Sequence, residues 1–330
     1  MTAISSTISS TKDNLRPFDV RRDLKAVADL VERCFKTTLD ADGRRYIQQM
    51  HAAAHNPAYL QLASVAAERI SMPLSGYIWE EGGAIVGNLS LIPFKVEGRR
   101  CYLIANVAVD QHFRRRGIAR ALTLQAIEHV HRKEAHAVWL HVRAENIPAV
   151  NLYLSMGFRE KFRRSTWHSE EQLSGFAPSL TAAKPCNVII KSPKKRHWAQ
   201  QRSWLEEIYP SNITWHLPFN INAFNPNLRG MIYRIMTATP MKQWAAFLKD
   251  ELLGVLSWQS YPNHSSNLWI ATSPENEDAA ILTLLPQVFH HHPPRGRLSL
   301  DFPAGRGSDA IKETGFLLHQ TLIWMLLEIE

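Results

Sequence analysis

The chain has 330 residues, 45% of them hydrophobic, and its 38 Lys and Arg against 30 Asp and Glu leave a formal charge of +8. That length can bury two cores of ordinary size, while three cysteines, Cys34, Cys101 and Cys186, are too few for a disulfide framework. No apolar run reaches the roughly 18–20 residues that span a bilayer, so the expectation is a cytoplasmic protein with no membrane partner.

Residues 1–13, MTAISSTISSTKD, are Ser- and Thr-rich and read as a mobile tail without the apolar core of a signal peptide. The spacing in VRRDLKAVADLVERCF predicts an amphipathic helix over 20–35, and 41–54 a second. Gly76–Trp79 and Ala84–Phe94, joined by EEGG, predict a hairpin. Asn106 to Val109 reads as a buried strand. The chain then turns through Asp110–Arg116, and Gly117 and Ala119 open a helix with Ile118, Leu122, Leu124, Ile127 and Val130 as its apolar stripe. A further strand carries Leu140 and Val142. Asn146 and Pro148 then mark a helix start, with Tyr153 one to two turns in. Gly157 and Phe158 lead into a strand over 159–168.

The strand, turn and helix around Gly117 carry chemistry. The first N–H groups of a helix, here of residues 115–120, have no intrahelical partner and sit at the positive end of the macrodipole. A Gly at the entrance lets the backbone approach a ligand, because no Cβ intervenes. Arg114, Arg115 and Arg116 add charge at the same point, and a pyrophosphate suits such a cradle. A solvated basic turn or a nucleic-acid contact is the plainer alternative, and the position between strand and helix disfavours both.

Arg114-x-x-Gly117-x-Ala119 after Val-Ala-Val resembles the acetyl-CoA loop of the GNAT superfamily of N-acetyltransferases, Gln/Arg-x-x-Gly-x-Gly/Ala. Downstream, Asn146, Ala149, Leu152, Tyr153, Gly157 and Phe158 resemble the same superfamily's Asn-x-x-Ala-x-x-Leu-Tyr-x-x-x-Gly-Phe. The resemblance implies an α/β fold with a mixed central sheet flanked by helices, the acyl-CoA N-acyltransferase fold. It implies acetyl-CoA as acyl donor and direct attack by a primary amine, from a small molecule or a protein N-terminus. The backbone of Val107, Ala108 and Val109 would pair with the pantetheine arm. Arg114, Arg115, Arg116, Gly117, Ile118, Ala119 and Arg120 would surround the pyrophosphate. Asn146 would bond the cofactor where the central strands splay. The N–H near Val109 would stabilise the oxyanion, and Tyr153 would be the general acid, its pKa eased down by nearby helix N-termini and arginines. A non-catalytic acyl-CoA-binding or interaction module is the competing reading.

One departure concerns the base. Many members carry a Glu where this chain has Ala105, which leaves His141, Glu80, Glu81 and Asp110 as candidates and none preferred. The missing Glu favours a weakly basic α-amine over a lysine.

The second half echoes the first. IIKSPKKRHWAQQRSWLEEIY (189–209) parallels Leu15–Phe35, and 243–261 reads as a hairpin turning at Lys249-Asp250-Glu251. Strand, turn and helix recur over 267–289, and Leu298–Phe316 again ends in Gly-Phe before a last strand, 322–329. The expected organisation is therefore a tail (1–13), a catalytic domain (14–168), a linker (169–188) and a degenerate copy of the same domain (189–330). In the copy, Ser273 to Asp278 replaces the basic loop with acidic residues, and Ile311 replaces Tyr153. Lys194-Lys195-Arg196 reads as a solvated charge run. His290–His292 reads as the end of a helix over 276–289 rather than a metal site, since adjacent histidines do not share a helix face.

Overall fold

A computed structural model describes residues 14–37, 39, 41–66, 72–169, 188–237, 240–259, 266–291 and 297–329. The tail, most of the linker and Cys186 lie outside the described residues, as do the side chains of His290–His292.

The chain forms two compact units that do not follow chain order. One takes the chain up to Val142, Asn146–Lys161 and the end from Met325; the other takes Arg143–Glu145 and Phe162–Trp324. The strand expected to close the first domain, 159–168, thus falls mostly in the second unit. The last residues of the chain fall in the first. An alternating pattern announces a strand without naming its partner, so sequence order was the only guide to these two.

The first unit is a mixed sheet covered by helices. Strand β1 (Leu15–Pro17) leads to α1 (Val20–Phe35), capped by Asp19, whose carboxylate accepts from the Arg21 N–H. Helix α2 (Ala41–Ala54) is followed by α3 (Pro57–Ala66), a helix with no counterpart among the expected elements. The sheet runs β1, β2 (Ser75–Glu81), β3 (Ala84–Val96), β4 (Arg99–Val109) and β5 (Ala137–Arg143), each paired with the next. All of these pairs are antiparallel except β4 with β5. That single parallel pair needs a crossover, supplied by α4 (Ile118–Arg132). Helix α5 (Ile147–Leu154) follows β5. Val27, Leu30, Val31, Ile47, Ile78 and Ala108 anchor the core between α1–α3 and the sheet.

The second unit repeats this order. Strand β6 (Arg159–Ser169) pairs with β11 (Leu298–Pro303), and β7 (Val188–Lys191) with β8 (Met241–Leu248). Between them, β8 pairs with β9 (Glu251–Gln259), β9 with β10 (Ser266–Thr272), and β10, in parallel, with β11. Helices α6 (Trp198–Ile208), α7 (Ser211–Thr214) and α8 (Leu228–Met236) precede β8. The expected single helix over 276–289 is two, α9 (Glu277–Leu284) and α10 (Pro286–His291), because Pro286 cannot supply the next N–H. Helix α11 (Ser308–Glu313) and strand β12 (Phe316–Glu328) complete the chain. Trp167, Trp269, Phe224, Phe302 and Phe316 centre an aromatic core. Cys34 and Cys101 carry free thiols, and no helix among the described residues is long and apolar enough to cross a membrane.

Candidate functional site

The site begins where two neighbouring strands part. Parallel pairing of β4 with β5 runs from Cys101 opposite Ala137 to Ile104 opposite Leu140, and there it stops. On its other side β4 stays with β3 as far as Val109 opposite Gly87, but the register slips between Asn88 and Ser90. The extra residue is Asn106, at φ 51°, a conformation that Asn tolerates better than most residues. A bulge bends and twists its strand. The expected plain buried strand is therefore a kinked one.

Side chains hold the kink in place. Asn106 Nδ2 donates to the Tyr46 hydroxyl at 2.8 Å and to Ser90 Oγ at 3.3 Å, and its carbonyl accepts from buried Asn88 Nδ2 at 2.9 Å. Sequence reasoning missed this network. Asn106 is the one polar residue in ANVAV, and that was the available signal.

Beyond the kink, the Asp110 N–H reaches the Val86 carbonyl at 2.9 Å. In an antiparallel ladder this leaves Val109's own N–H and C=O pointing away from β3, toward the gap. The Val109 carbonyl is already occupied there, by Arg114 Nε at 3.1 Å and the Cys34 thiol at 3.4 Å.

The loop above leaves backbone N–H groups open at the start of α4. Arg115 at φ 64° and Gly117 at φ 80° are both left-handed, and Gly117 is the N-cap of α4 with no side chain capping the helix. A Cβ on Gly117 would meet nothing within 4 Å. The glycine therefore serves the backbone conformation, and its open side is where a ligand would lie. Substituting Gly117 by Ala is expected to cost about 1–2 kcal/mol of stability, read by chemical denaturation.

The arginines divide their work. Arg116 pairs with Glu81 at 2.7 Å and lies over the Phe113 ring, and Arg120 donates to Ser155 Oγ at 2.6 Å, tying α4 to the end of α5. Arg114 is held by Val109. Arg115, exposed, has no partner among the described residues. The structure thus keeps one uncommitted guanidinium beside the free N–H groups, where the sequence suggested three.

Asn146 caps α5, its Oδ1 accepting from the Ala149 N–H at 3.3 Å, and it is exposed. Its amide NH2 remains a donor for a ligand. Tyr153 lies on the same helix with its ring buried, 5% exposed and edge-on to Phe158 at 5.9 Å. Its hydroxyl has no partner among the described residues, yet it is not among the sealed polar atoms and so touches solvent. Burial pushes its pKa up to about 12. The expected easing by arginines and helix ends is overturned: desolvation alone acts on this phenol.

Among the candidate bases, Glu80 pairs with Arg16 at 2.7 Å and Glu81 with Arg116. Asp110 caps the turn at His112 and faces Arg33 at 3.8 Å. His141 stands on β5 just past the parting of the strands. Its ring is reached by solvent and is also strongly desolvated, with a pKa pushed down to about 4. Among the described residues, no three His, Cys, Asp or Glu side chains gather as metal ligands.

In the second unit the matching strands also part, but the turn before α9 contains no left-handed residue. Strands β10 and β11 pair from Ser266 opposite Leu298 to Leu268 opposite Leu300, then part. At the start of α9, buried Glu277 receives Arg306 at 2.6 Å and 2.9 Å, and Arg306 also meets Glu207 at 3.4 Å. Ile311 is fully buried.

Residues 28–158 match the family model described as Acetyltransferase (GNAT) family. A [ribosomal protein bS18]-alanine N-acetyltransferase of Salmonella typhimurium is 35% identical over 83 residues, which are 25% of this chain and 55% of that protein. An N-alpha-acetyltransferase of Sulfurisphaera tokodaii is 33% identical over 98 residues, covering 26% of this chain and 56% of that protein. The chain spans about half the length of these curated relatives. The crystal structure of a GCN5-related N-acetyltransferase from Sphaerobacter thermophilus covers 96% of both chains at 14% identity with a TM-score of 0.58, a likeness of fold.

Proposed function

We propose, on the premise that the chain belongs to the GNAT family through residues 28–158, that its first unit moves an acetyl group from acetyl-CoA to a primary amine. The observation that carries this reading is the uncapped N-terminus of α4 beneath two left-handed residues, next to a strand whose edge faces a gap. Acetyl-CoA would supply the acetyl thioester. The N–H groups of residues 115–120, with Arg115, would take its pyrophosphate, and the Asn146 amide would hold the arm in the gap. The Val109 N–H would stabilise charge on the acyl oxygen. Tyr153 would donate its proton to the departing sulfur.

The second unit is a degenerate copy on this reading, since Glu275, Glu277 and Asp278 put negative charge at the start of α9 and Ile311 stands in the place of Tyr153. The acceptor on this reading is an α-amine of a small molecule or of a protein N-terminus, in line with relatives named [ribosomal protein bS18]-alanine N-acetyltransferase and N-alpha-acetyltransferase. Because Glu80, Glu81 and Asp110 are engaged, the amine arrives largely as its own free base and gives up its proton to water.

A panel of amines with thiol release as the readout tests the proposal. Release above the hydrolytic rate with at least one α-amine is expected. Tight binding of acetyl-CoA without acceleration for any amine would instead establish an acyl-CoA-binding module. The pH profile is a second check. With His141 neutral above about pH 5 and Tyr153 protonated to about pH 11, kcat/KM should rise along the amine's own titration, at about 8 for an α-amine. A break near 6.5 would contradict the assignment of His141 as already neutral.

A further inference from the structure

Helix α8 is amphipathic and turned inside out. Gly230 and Arg234 face the protein. Arg234 donates to the carbonyls of Ala223 and Asn225 at 2.8 Å and 3.0 Å, and Gly230, one turn before it, lies so close that a Cβ would sit 2.0 Å from the Asn225 carbonyl. Its apolar residues face out. Leu228, Met231, Ile232, Ile235 and Met236 are 60%, 46%, 46%, 71% and 81% exposed, and the steps of three and four between them place them along one stripe. Soluble surface helices bury such a stripe.

Cations gather at the same end of the second unit. Met236 is five residues from Met241, the start of β8, and so lies within about 18 Å of it. Strand β7 runs antiparallel to β8 with Lys191 opposite Ala245, which carries the next turn toward Lys242. That turn holds Lys194, Lys195 and Arg196. Together with Lys191 they are exposed, and none of the four forms an ion pair among the described residues. Lys195 and Arg196 also stand at the positive end of α6, with no acidic residue in its first turn. Such a placement costs stability unless an anion covers it.

We propose that α8 and the Lys191–Arg196 turn form a docking surface for an anionic phospholipid bilayer, the helix lying in the interface with its apolar stripe down. An outward apolar stripe beside unpaired cations is the pattern of interfacial helices. A second copy of the chain fits poorly. A nine-residue helix is about 13 Å long and about 10 Å across, far short of the roughly 800 Å² per partner of a stable interface, and two copies would oppose their cations. Nucleic acid would satisfy the lysines and leave the stripe in water.

Flotation of the full chain with phosphatidylcholine vesicles, with and without about 30% phosphatidylserine, tests this. Binding at least about tenfold stronger to the anionic vesicles, weakened by salt, is expected. The Ile235→Asp, Met236→Asp double variant should lose about tenfold with an unchanged melting temperature, because both side chains are exposed. Lys194→Glu with Lys195→Glu should remove the salt-sensitive part. Absence of binding to anionic vesicles, or binding that the Asp variant leaves intact, overturns the proposal. So does affinity for single-stranded RNA without affinity for vesicles.

Discussion

Replacing Tyr153 by Phe is expected to lower kcat by about 10²–10³-fold and to leave acetyl-CoA affinity within about twofold. The ring stays, so its contact with Phe158 and its place in the core are kept, and only a solvent-touching hydroxyl is lost. The fold should therefore melt at its usual temperature. The size of the loss follows from the phenol's environment. Burial holds it at about 12, roughly 3.5 units above a free thiol, so complete transfer before the carbon–sulfur bond breaks would be uphill by about 5 kcal/mol. The useful interaction is then a hydrogen bond that strengthens as charge builds on sulfur, which is transition-state stabilisation and appears in kcat. Loss confined to KM would mean that the hydroxyl only helps binding. An unchanged rate would remove Tyr153 from the chemistry.

How much of this was legible in the chain depends on what each feature rests upon. The cradle was readable because Gly117 punctuates a strand and a helix, and local sequence dictates that geometry. The same local logic found Asn146 as a cap. The kink at Asn106 was not readable, because its cause is three-dimensional: Tyr46 from α2 and Ser90 from β3 meet its side chain across 60 and 16 residues. The pKa of Tyr153 failed for a related reason. Sequence shows which charges are near in number, whereas desolvation depends on what packs around the ring. The arginines' present partners were hidden for the same reason, since Arg116 finds Glu81 and Arg120 finds Ser155, each 35 residues away. The division of β6 and β12 between the units was beyond pattern reading altogether, because a strand's own residues do not name its partner.

Replacing Arg306 by Met should destabilise the chain by about 3 kcal/mol and still leave one acetyl-CoA site per chain. The substitution strands the Glu277 carboxylate, whose side chain is 8% exposed, without its partner. Removing one member of a buried pair typically costs about 3–5 kcal/mol, and the lower end applies because Arg306 keeps 30% of its side chain in solvent. The deficit should also depend on pH. Desolvation already raises the Glu277 pKa despite Arg306, and losing the guanidinium raises it further. A carboxyl whose folded pKa exceeds its unfolded one binds its proton more tightly when folded, so its contribution is present at low pH and lost as pH rises through the folded value. The variant should therefore recover toward the parent on acidification. Adding Glu277→Gln should restore most of the stability at neutral pH, because a neutral amide needs no counter-charge. Calorimetric titration supplies the functional half. A single equivalent of acetyl-CoA in parent and variants is expected, since Glu275, Glu277 and Asp278 set negative charge at the start of α9, which repels a phosphate. A second equivalent in the parent would show that the copy still binds the cofactor, and the degenerate reading would fall even if the first unit proved to be the catalyst.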